Sequence, residues 1–442
     1  MTTESLPGVR LKKVVVLGAN GAMGAGSAAL FASAGCEVTL VARNISKAEA
    51  ALAQIQSIAK SETIINAVSC ATYADLANVL AGADLIFECL AEDMALKKQL
   101  FAQVDAARPP DSLVATVSSG LSIAEMADGL SASFQQHFAG VHLYNPPHVM
   151  TGVEVIPHPA MDRAVSSEIE RILTDRFGRA TITCTDTPAF AGNRIGFKVL
   201  NEVAQLAATH GVQMMDTLVG PYTGRAMAPL ATIDLVGWDV HQAIVENITA
   251  NLNDEAASSF IMPEYMGKLM GKGHLGDKTP ELGGFYRKVI ADGKARSEVL
   301  DASSGHYGPV DATLKVAFVE EVKALNRSGR YKQAIDAFMA ADGAQADIAR
   351  KVILGYVSYG LNRVGPGEVV ETYADVDRIM TAGFNWAPPS GLVDLIGLQR
   401  TIDLLKRYSL PVPKLLDAAV RGEVKTPLFN LPFVTPGRYL AG

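Results

Sequence analysis

Residues 12–42 read KKVVVLGANGAMGAGSAALFASAGCEVTLVA, and the order of these pieces decides the fold. A short β-branched run (12–17) has the make-up of a buried parallel strand. Gly18, Gly21, Gly24 and Gly26 mark a turn that runs into the helical pattern SAALFASAG, and EVTLVA (37–42) follows as a second strand. Strand, glycine turn, helix, strand is the setting of a dinucleotide fingerprint, because glycines let backbone N–H groups approach a pyrophosphate at a helix N-terminus. The expected contacts are Gly18, Gly21, Ala22, Met23 and Gly24; the plainer alternative is a merely tight turn. Two features depart from the usual motif. The spacing is GxxGxxG, and Ala42-Arg43 occupies the place where an acid grips the ribose hydroxyls of NAD. Without that carboxylate a 2′-phosphate is not repelled, and a guanidinium can bind it. The expected cofactor is NAD or NADP, with a slight lean to NADP, unless Arg43 is only a surface residue starting the next helix.

Outward from this stretch the alternation continues. Helices are expected at about 46–60, 73–81, 94–107, 122–129 and 165–177, and strands near 63–68, 84–89, 112–118, 138–143, 153–157 and 180–184. This pattern predicts an α/β doubly wound domain over residues 1–187, with its ligand at the carboxyl ends of the strands. After Pro188 the periodicity turns helical. One segment then occurs twice, PLATIDLVG (229–237) and PSGLVDLIG (389–397), each after an acid, Asp216 or Asp377. The spacing is too long for a solenoid and predicts two mainly helical domains, 188–310 and 311–442. A polar connection near 289–312 is expected to join them, and the tail from 425 to lie extended over the surface. The aromatic stretches 383–386 (GFNW) and 431–435 (LPFVT) fit either a ligand pocket or core packing.

A second stretch concerns chemistry: VHLYNPPHVMTGVEV, residues 141–155. The Asn-Pro-Pro turn can fold two short strands back on each other, so that Glu154 meets His142. Such a carboxylate fixes one imidazole tautomer and raises ring basicity, as a proton-abstracting group requires. The bland alternative is a core histidine beside a strand glutamate.

Composition narrows the class. The chain has 442 residues, 49% hydrophobic and 19% charged, with a net charge of −7 and no basic block, which argues against nucleic-acid binding. Four scattered cysteines without a CxxC argue against disulfides and zinc, so no metal is expected. With no leader-like segment and no long apolar span, the expectation is a cytoplasmic protein without membrane insertion.

Several ordered blocks resemble the 3-hydroxyacyl-CoA dehydrogenase family over roughly residues 12–290: LGANGAMGAG, ADLIFECLAEDMALKKQLFAQVD (83–105), ATVSSGLSI (115–123), GVHLYNPPHVMTGVEVIPHP, DTPAFAGNRIGFKVLNE (186–202) and LGDKTPELGGFY (275–286). The resemblance implies interconversion of an L-3-hydroxyacyl-CoA and a 3-oxoacyl-CoA, as in β-oxidation of fatty acids. It implies that His142 takes the hydroxyl proton, Glu154 orients His142, Ser119 bonds the reacting oxygen and Asn193 holds the substrate carbonyl. Glu92, Lys97 and Asn145 match positions near the cofactor. Each also has a local alternative: Ser119 as a helix cap, Asn193 as a helix-start residue, Glu92 as a first-turn acid and Lys97 as a solvated charge. The family's HFFNP is His142-Leu-Tyr144-Asn-Pro here, and its Asn before Thr-Ser-Ser is Val117. Between Arg43 and Tyr73 there is no room for the family's long hairpin toward CoA. The runner-up is therefore a dehydrogenase of free 3-hydroxy acids, similar to the gulonate and carnitine enzymes. A third reading is a retained fold without catalysis. The duplicated C-terminal domain implies a pseudo-dimeric monomer more readily than a homodimer.

Overall fold

The computed structural model describes residues 11–291 and 294–441, in two compact units, Met1–Phe190 and Ala191–Gly442. Eight strands build the first unit: β1 (Lys13–Leu17), β2 (Glu37–Ala42), β3 (Val68–Thr72), β4 (Leu85–Glu88), β5 (Leu113–Thr116), β6 (Phe138–Leu143), β7 (Gly152–Pro157) and β8 (Ala180–Thr183). They form one sheet in the order β3-β2-β1-β4-β5-β6-β7-β8. Every neighbouring pair is parallel except β6–β7, which runs antiparallel. The strand order reverses direction beside β1, which places a ligand crevice at the carboxyl ends of β1 and β4. The expected α/β doubly wound domain is therefore present.

Its helices are α1 (Ala22–Ser33), α2 (Ile45–Ala59), α3 (Glu62–Ile65), α4 (Leu76–Leu80), α5 (Met94–Ala107), α6 (Ile123–Met126), α7 (Ala132–Gln136) and α8 (Arg163–Asp175). The strand expected at 63–68 is instead α3 followed by β3. Backbone bonds Ile65 N–Ser61 O and Asn66 N–Glu62 O close a helical turn first, and the chain then pairs with β2 from Val68. The helix expected over 122–129 stops at Met126, and α7, which the periodicity does not reveal, follows it. Phe31, Phe87 and Phe177 meet edge to face in the core, with centroids 5.0 and 5.5 Å from Phe31.

The second unit is helical. Its first half holds α9 (Gly192–His210), α10 (Val212–Leu218), α11 (Pro229–Val236), α12 (Trp238–Asn251) and α13 (Glu264–Met270). Its second holds α14 (Ala317–Arg327), α15 (Tyr331–Ala340), α16 (Ala344–Leu361), α17 (Tyr373–Ala382), α18 (Pro389–Ile396), α19 (Leu398–Arg407) and α20 (Lys414–Val420). The two repeated segments are α11 and α18. Both begin with proline, which lacks the N–H a helix start leaves unpaired, and both end at a glycine of positive φ, Gly237 (96°) and Gly397 (102°).

The duplication extends to hydrogen bonds. Asp216 accepts from Leu230 N (2.9 Å) and Ala231 N (3.2 Å), and Asp377 accepts from Ser390 N (3.0 Å), so each acid caps its repeated helix. Asp234 within α11 receives Phe285 N and Tyr286 N, both at 2.8 Å, and Asp394 within α18 receives Leu428 N (3.0 Å) and Phe429 N (2.8 Å). The GGFY block follows from this contact. A Cβ on Gly284 would lie 2.0 Å from Asp234 Oδ1, so only glycine lets the backbone reach that carboxylate.

Two sequence expectations fail here. The polar connection at 289–312 forms a three-stranded antiparallel sheet, β9 (Tyr286–Ala291), β10 (Lys294–Leu300) and β11 (Tyr307–Pro309). Polar side chains suit strands with a solvated face, and Arg287 Nη2 meets Glu298 across the ladder at 2.7 Å. The tail from 425 does not simply lie on the surface, because Leu428 and Leu440 are both 1% exposed.

Candidate active site

The glycine turn follows β1 directly. Gly18 takes φ 76°, and its N–H donates to Val41 O at 3.1 Å. A Cβ on Gly24 would fall 2.6 Å from Gly18 O, so the first helical turn can lie against the strand end only with glycine there. Gly21 is the N-cap of α1 and offers no side-chain cap, which leaves the N-terminal N–H groups open at the end of the sheet. Ala22 and Met23 open α1. This cradle of glycine backbone, open helix end and strand terminus fits a dinucleotide pyrophosphate. Arg43 is exposed, one residue beyond β2.

Beside the cradle lies a buried ion pair that the sequence reading takes only in part. Glu88, the last residue of β4, and Lys97 on α5 are both 0% exposed. Lys97 Nζ donates to both carboxylate oxygens at 2.8 and 2.7 Å. Glu88 also accepts from Thr116 Oγ1 (2.5 Å) and from Leu90 N. Glu92 continues this network. Its Oε2 is 3.7 Å from Lys97 Nζ, and its Oε1 accepts from Ser118 Oγ at 2.5 Å and Ser119 N at 2.9 Å. Lys97 is thus no solvated charge; it reaches the crevice through Glu92, which remains partly exposed. The cap of α6 is Ser122, whose Oγ accepts from Glu125 N, while Ser119 remains half-buried in the loop after β5. Glu88 and Ser118 were missed because a strand-end glutamate and a second serine carry no distinctive spacing.

The His142–Glu154 meeting forms as the strand pattern predicts. The two residues stand directly opposite on antiparallel β6 and β7. Glu154 is 0% and His142 5% exposed, with Nδ1 2.6 Å from Oε2. Glu154 also accepts from Tyr144 Oη at 2.8 Å, and Cys184 Sγ lies 3.5 Å from its Oε1. Burial, reinforced by the neighbouring carboxylate, pushes the Tyr144 hydroxyl far up, so it stays a proton donor. The imidazole is walled by Tyr144 and Phe190, with ring centroids 4.7 and 5.9 Å away. Where the carboxylate oxygen accepts, Nδ1 is the donor, and the uncharged tautomer then has its lone pair on Nε2. Tyr144 and Cys184 also contact Glu154, which sequence reasoning left aside, since both look like core side chains. Asn145 is exposed at the start of the turn. Asn193 belongs to the second unit, buried in the first turn of α9.

Comparison with known proteins follows the same division. The family model described as the 3-hydroxyacyl-CoA dehydrogenase NAD binding domain matches residues 13–187, and that of the C-terminal domain matches 190–288. A Deinococcus radiodurans protein described as a probable 3-hydroxyacyl-CoA dehydrogenase is 30% identical over 65% of this chain and 86% of its own length. The chain belongs to the 3-hydroxyacyl-CoA dehydrogenase family. A Bacillus subtilis protein of the same description is 29% identical over 77% of this chain, which spans only 42% of that protein's length. The crystal structure of 3-hydroxybutyryl-CoA dehydrogenase from Escherichia coli K12 shares the fold over 94% of this chain and 99% of that one, with 22% identity and a TM-score of 0.67. The likeness therefore extends past residue 288, into the second half of the helical unit. No described helix is long and apolar enough to cross a membrane, and the described residues hold no cluster of metal-ligating side chains.

Proposed function

We propose that this protein interconverts an L-3-hydroxyacyl-CoA and a 3-oxoacyl-CoA with a nicotinamide cofactor. The observation that carries this reading is the dyad: His142 commits Nδ1 to the buried Glu154 and keeps Nε2 for a substrate. In oxidation Nε2 removes the proton of the 3-hydroxyl, and in reduction the protonated ring polarises the ketone and returns that proton. The bound nicotinamide supplies the acceptor or donor of the hydride at C3. Glu154 holds the ring in its working tautomer and stabilises the imidazolium that forms. Ser119 adds a hydrogen bond to the reacting oxygen, and Asn193 holds the thioester carbonyl. Gly18, Gly21, Ala22, Met23 and Gly24 receive the pyrophosphate, and Glu92, Asn145 and, through Glu92, Lys97 shape the nicotinamide end.

Membership of the family supports NAD; the exposed Arg43 beyond β2 supports acceptance of NADP. A free 3-hydroxy acid is the second reading, because residues 45–72 hold only α2, α3 and β3, with no long hairpin to reach toward CoA. The setting we assign is cytoplasmic acyl-CoA oxidation. The second half of the helical unit can cover the surface through which single-copy relatives pair, which favours a monomer; a concentration-independent dimer in light scattering contradicts this.

The deciding assay follows reduction of acetoacetyl-CoA by NADH and by NADPH, with free acetoacetate as control. Turnover of the thioester alone supports the acyl-CoA reading, and the faster nucleotide gives the cofactor. Turnover of acetoacetate alone moves the assignment to free 3-hydroxy acids.

A further inference from the structure

The two aromatic stretches at 383–386 and 431–435 take no part in the proposed reaction, yet they meet in the second unit around one arginine. A cavity of about 320 Å³ is lined by Arg225, Asn385, Phe433, Val434, Thr435 and Arg438, among others, which is within the range of small-molecule sites. Arg225 is only 2% exposed. Its guanidinium lies 4.5 Å from the centroid of the Trp386 ring and 5.5 Å from that of Tyr356. Nη1 donates to Thr223 Oγ1 at 2.9 Å, whereas Nε and Nη2 have no acceptor among the described residues. Those two N–H groups form one edge of the guanidinium, the fork that matches two oxygens of a carboxylate or phosphate. Among the described residues no acid forms an ion pair with it. Glu202, whose field reaches Arg225, is bonded to Lys198 at 2.8 Å. A buried cation without an anion is costly, and such a group is expected to find a partner.

The surroundings supply the rest of a site. Arg438 is exposed and adds a second cation. Phe433 is fully exposed with φ 62°, so an aromatic ring is held out in water on a left-handed backbone that a β-carbon disfavours. The cavity also draws on both repeated halves: Arg225 forms an isolated bridge with Trp386, and Ala387 N donates to Gly224 O at 2.7 Å.

We infer that this cavity binds a small organic oxyanion, a carboxylate or phosphate carried on an apolar body, with Arg225 and Arg438 taking the oxygens and Phe433 and Val434 covering the apolar part. The unpaired edge of Arg225 lies below the reach of solvent, so a ligand reaches it only as the cavity lining shifts. The ligand fastens the two halves of the helical unit together.

Trp386 provides the readout, being one of only two tryptophans and stacked on Arg225. The full chain is titrated with sodium octanoate and, separately, with octyl phosphate, following tryptophan fluorescence and the thermal midpoint. The expected result is a saturable fluorescence change and a raised midpoint with at least one of them, and the tighter ligand identifies the head group. Arg225→Met should abolish the response. Arg438→Ala, a change at an exposed position that leaves folding intact, should weaken binding about tenfold. No saturable response to either compound overturns the inference, as does a response that both variants retain unchanged.

Discussion

Glu88 and Glu154 lie on the same sheet, on β4 and β7, both with no exposed surface and both facing a basic side chain. The partner makes the difference. Lys97 spends its ammonium on both oxygens of Glu88 and is itself sealed from solvent. His142 gives one ring nitrogen to Glu154 and retains another. Burial and pairing alone therefore do not mark chemistry. A two-ended partner is what the proposed reaction needs, because it can hold an acid with one atom and exchange a proton with the other. The helical unit offers a third case. Among the described residues Asp234 and Asp377 pair with N–H and O–H donors and with no cation, and burial pushes both up to about 7.

The most severe test of this contrast is His142→Ala, for which turnover is expected to fall by about 10²–10⁴; because Glu154 also loses a buried donor, turnover is measured where the variant is still fully folded. Turnover within a few-fold of wild type would remove the dyad from the mechanism. Lys97→Met should act chiefly on stability, since it strands the Glu88 charge in the sheet. A loss of about 3–5 kcal/mol in denaturant unfolding is expected. If stability holds while only the Michaelis constant for the cofactor rises, Lys97 has the direct cofactor role that the family resemblance implies. Glu154→Gln keeps the shape but weakens a charge-assisted bond worth about 1.5–3 kcal/mol, so turnover should drop about 10–100-fold while substrate binding is kept.

For the helical carboxylates the sign runs against the usual acid pattern. With a folded value near 7 and an ordinary value of 3.8, the native state of Asp377 holds its proton where the unfolded chain has lost it. Its contribution is full below pH 4 and declines as pH rises toward 7. Asn can mimic the protonated acid, so the stability of wild type relative to Asp377→Asn should fall by up to about 1.4 kcal/mol per pH unit across that window. A pH-independent difference would show that the Ser390 bonds keep the group ionised. The mildest change is Tyr144→Phe, which removes one of the donors on Glu154 and should alter turnover about two- to tenfold. Its diagnostic is the pH profile: with the carboxylate less shared, the limb assigned to His142 should move to higher pH. A profile that stays in place makes Tyr144 packing only.

Much of this molecule was legible in residue order. Gly18 to Gly24 between two strands named the doubly wound domain, and the paired PLATIDLVG and PSGLVDLIG segments named the repeat, because both signals are local patterns of period and turn chemistry. His142 and Glu154 could be joined from sequence because a short turn separates them and strand pairing leaves few registers. Glu88 with Lys97, and Ser118 with Glu92, stayed hidden, since nothing local tells a strand-end acid which helix will supply its cation. The three-stranded sheet after Tyr286 was hidden for a related reason: a solvated strand is as polar as a loop.

Residue order is enough for the doubly wound topology, the duplicated helical segment and the acid–imidazole dyad, all of which rest on contacts between near neighbours or on repeated turns. Only folding brings out that Lys97 is buried rather than solvated, that Tyr144 and Cys184 converge on Glu154, and that Arg225 stacks on Trp386 with no acid paired to it among the described residues. These follow from side chains brought together across long stretches of chain, where burial and the count of available partners, not local propensity, fix what each polar group can do.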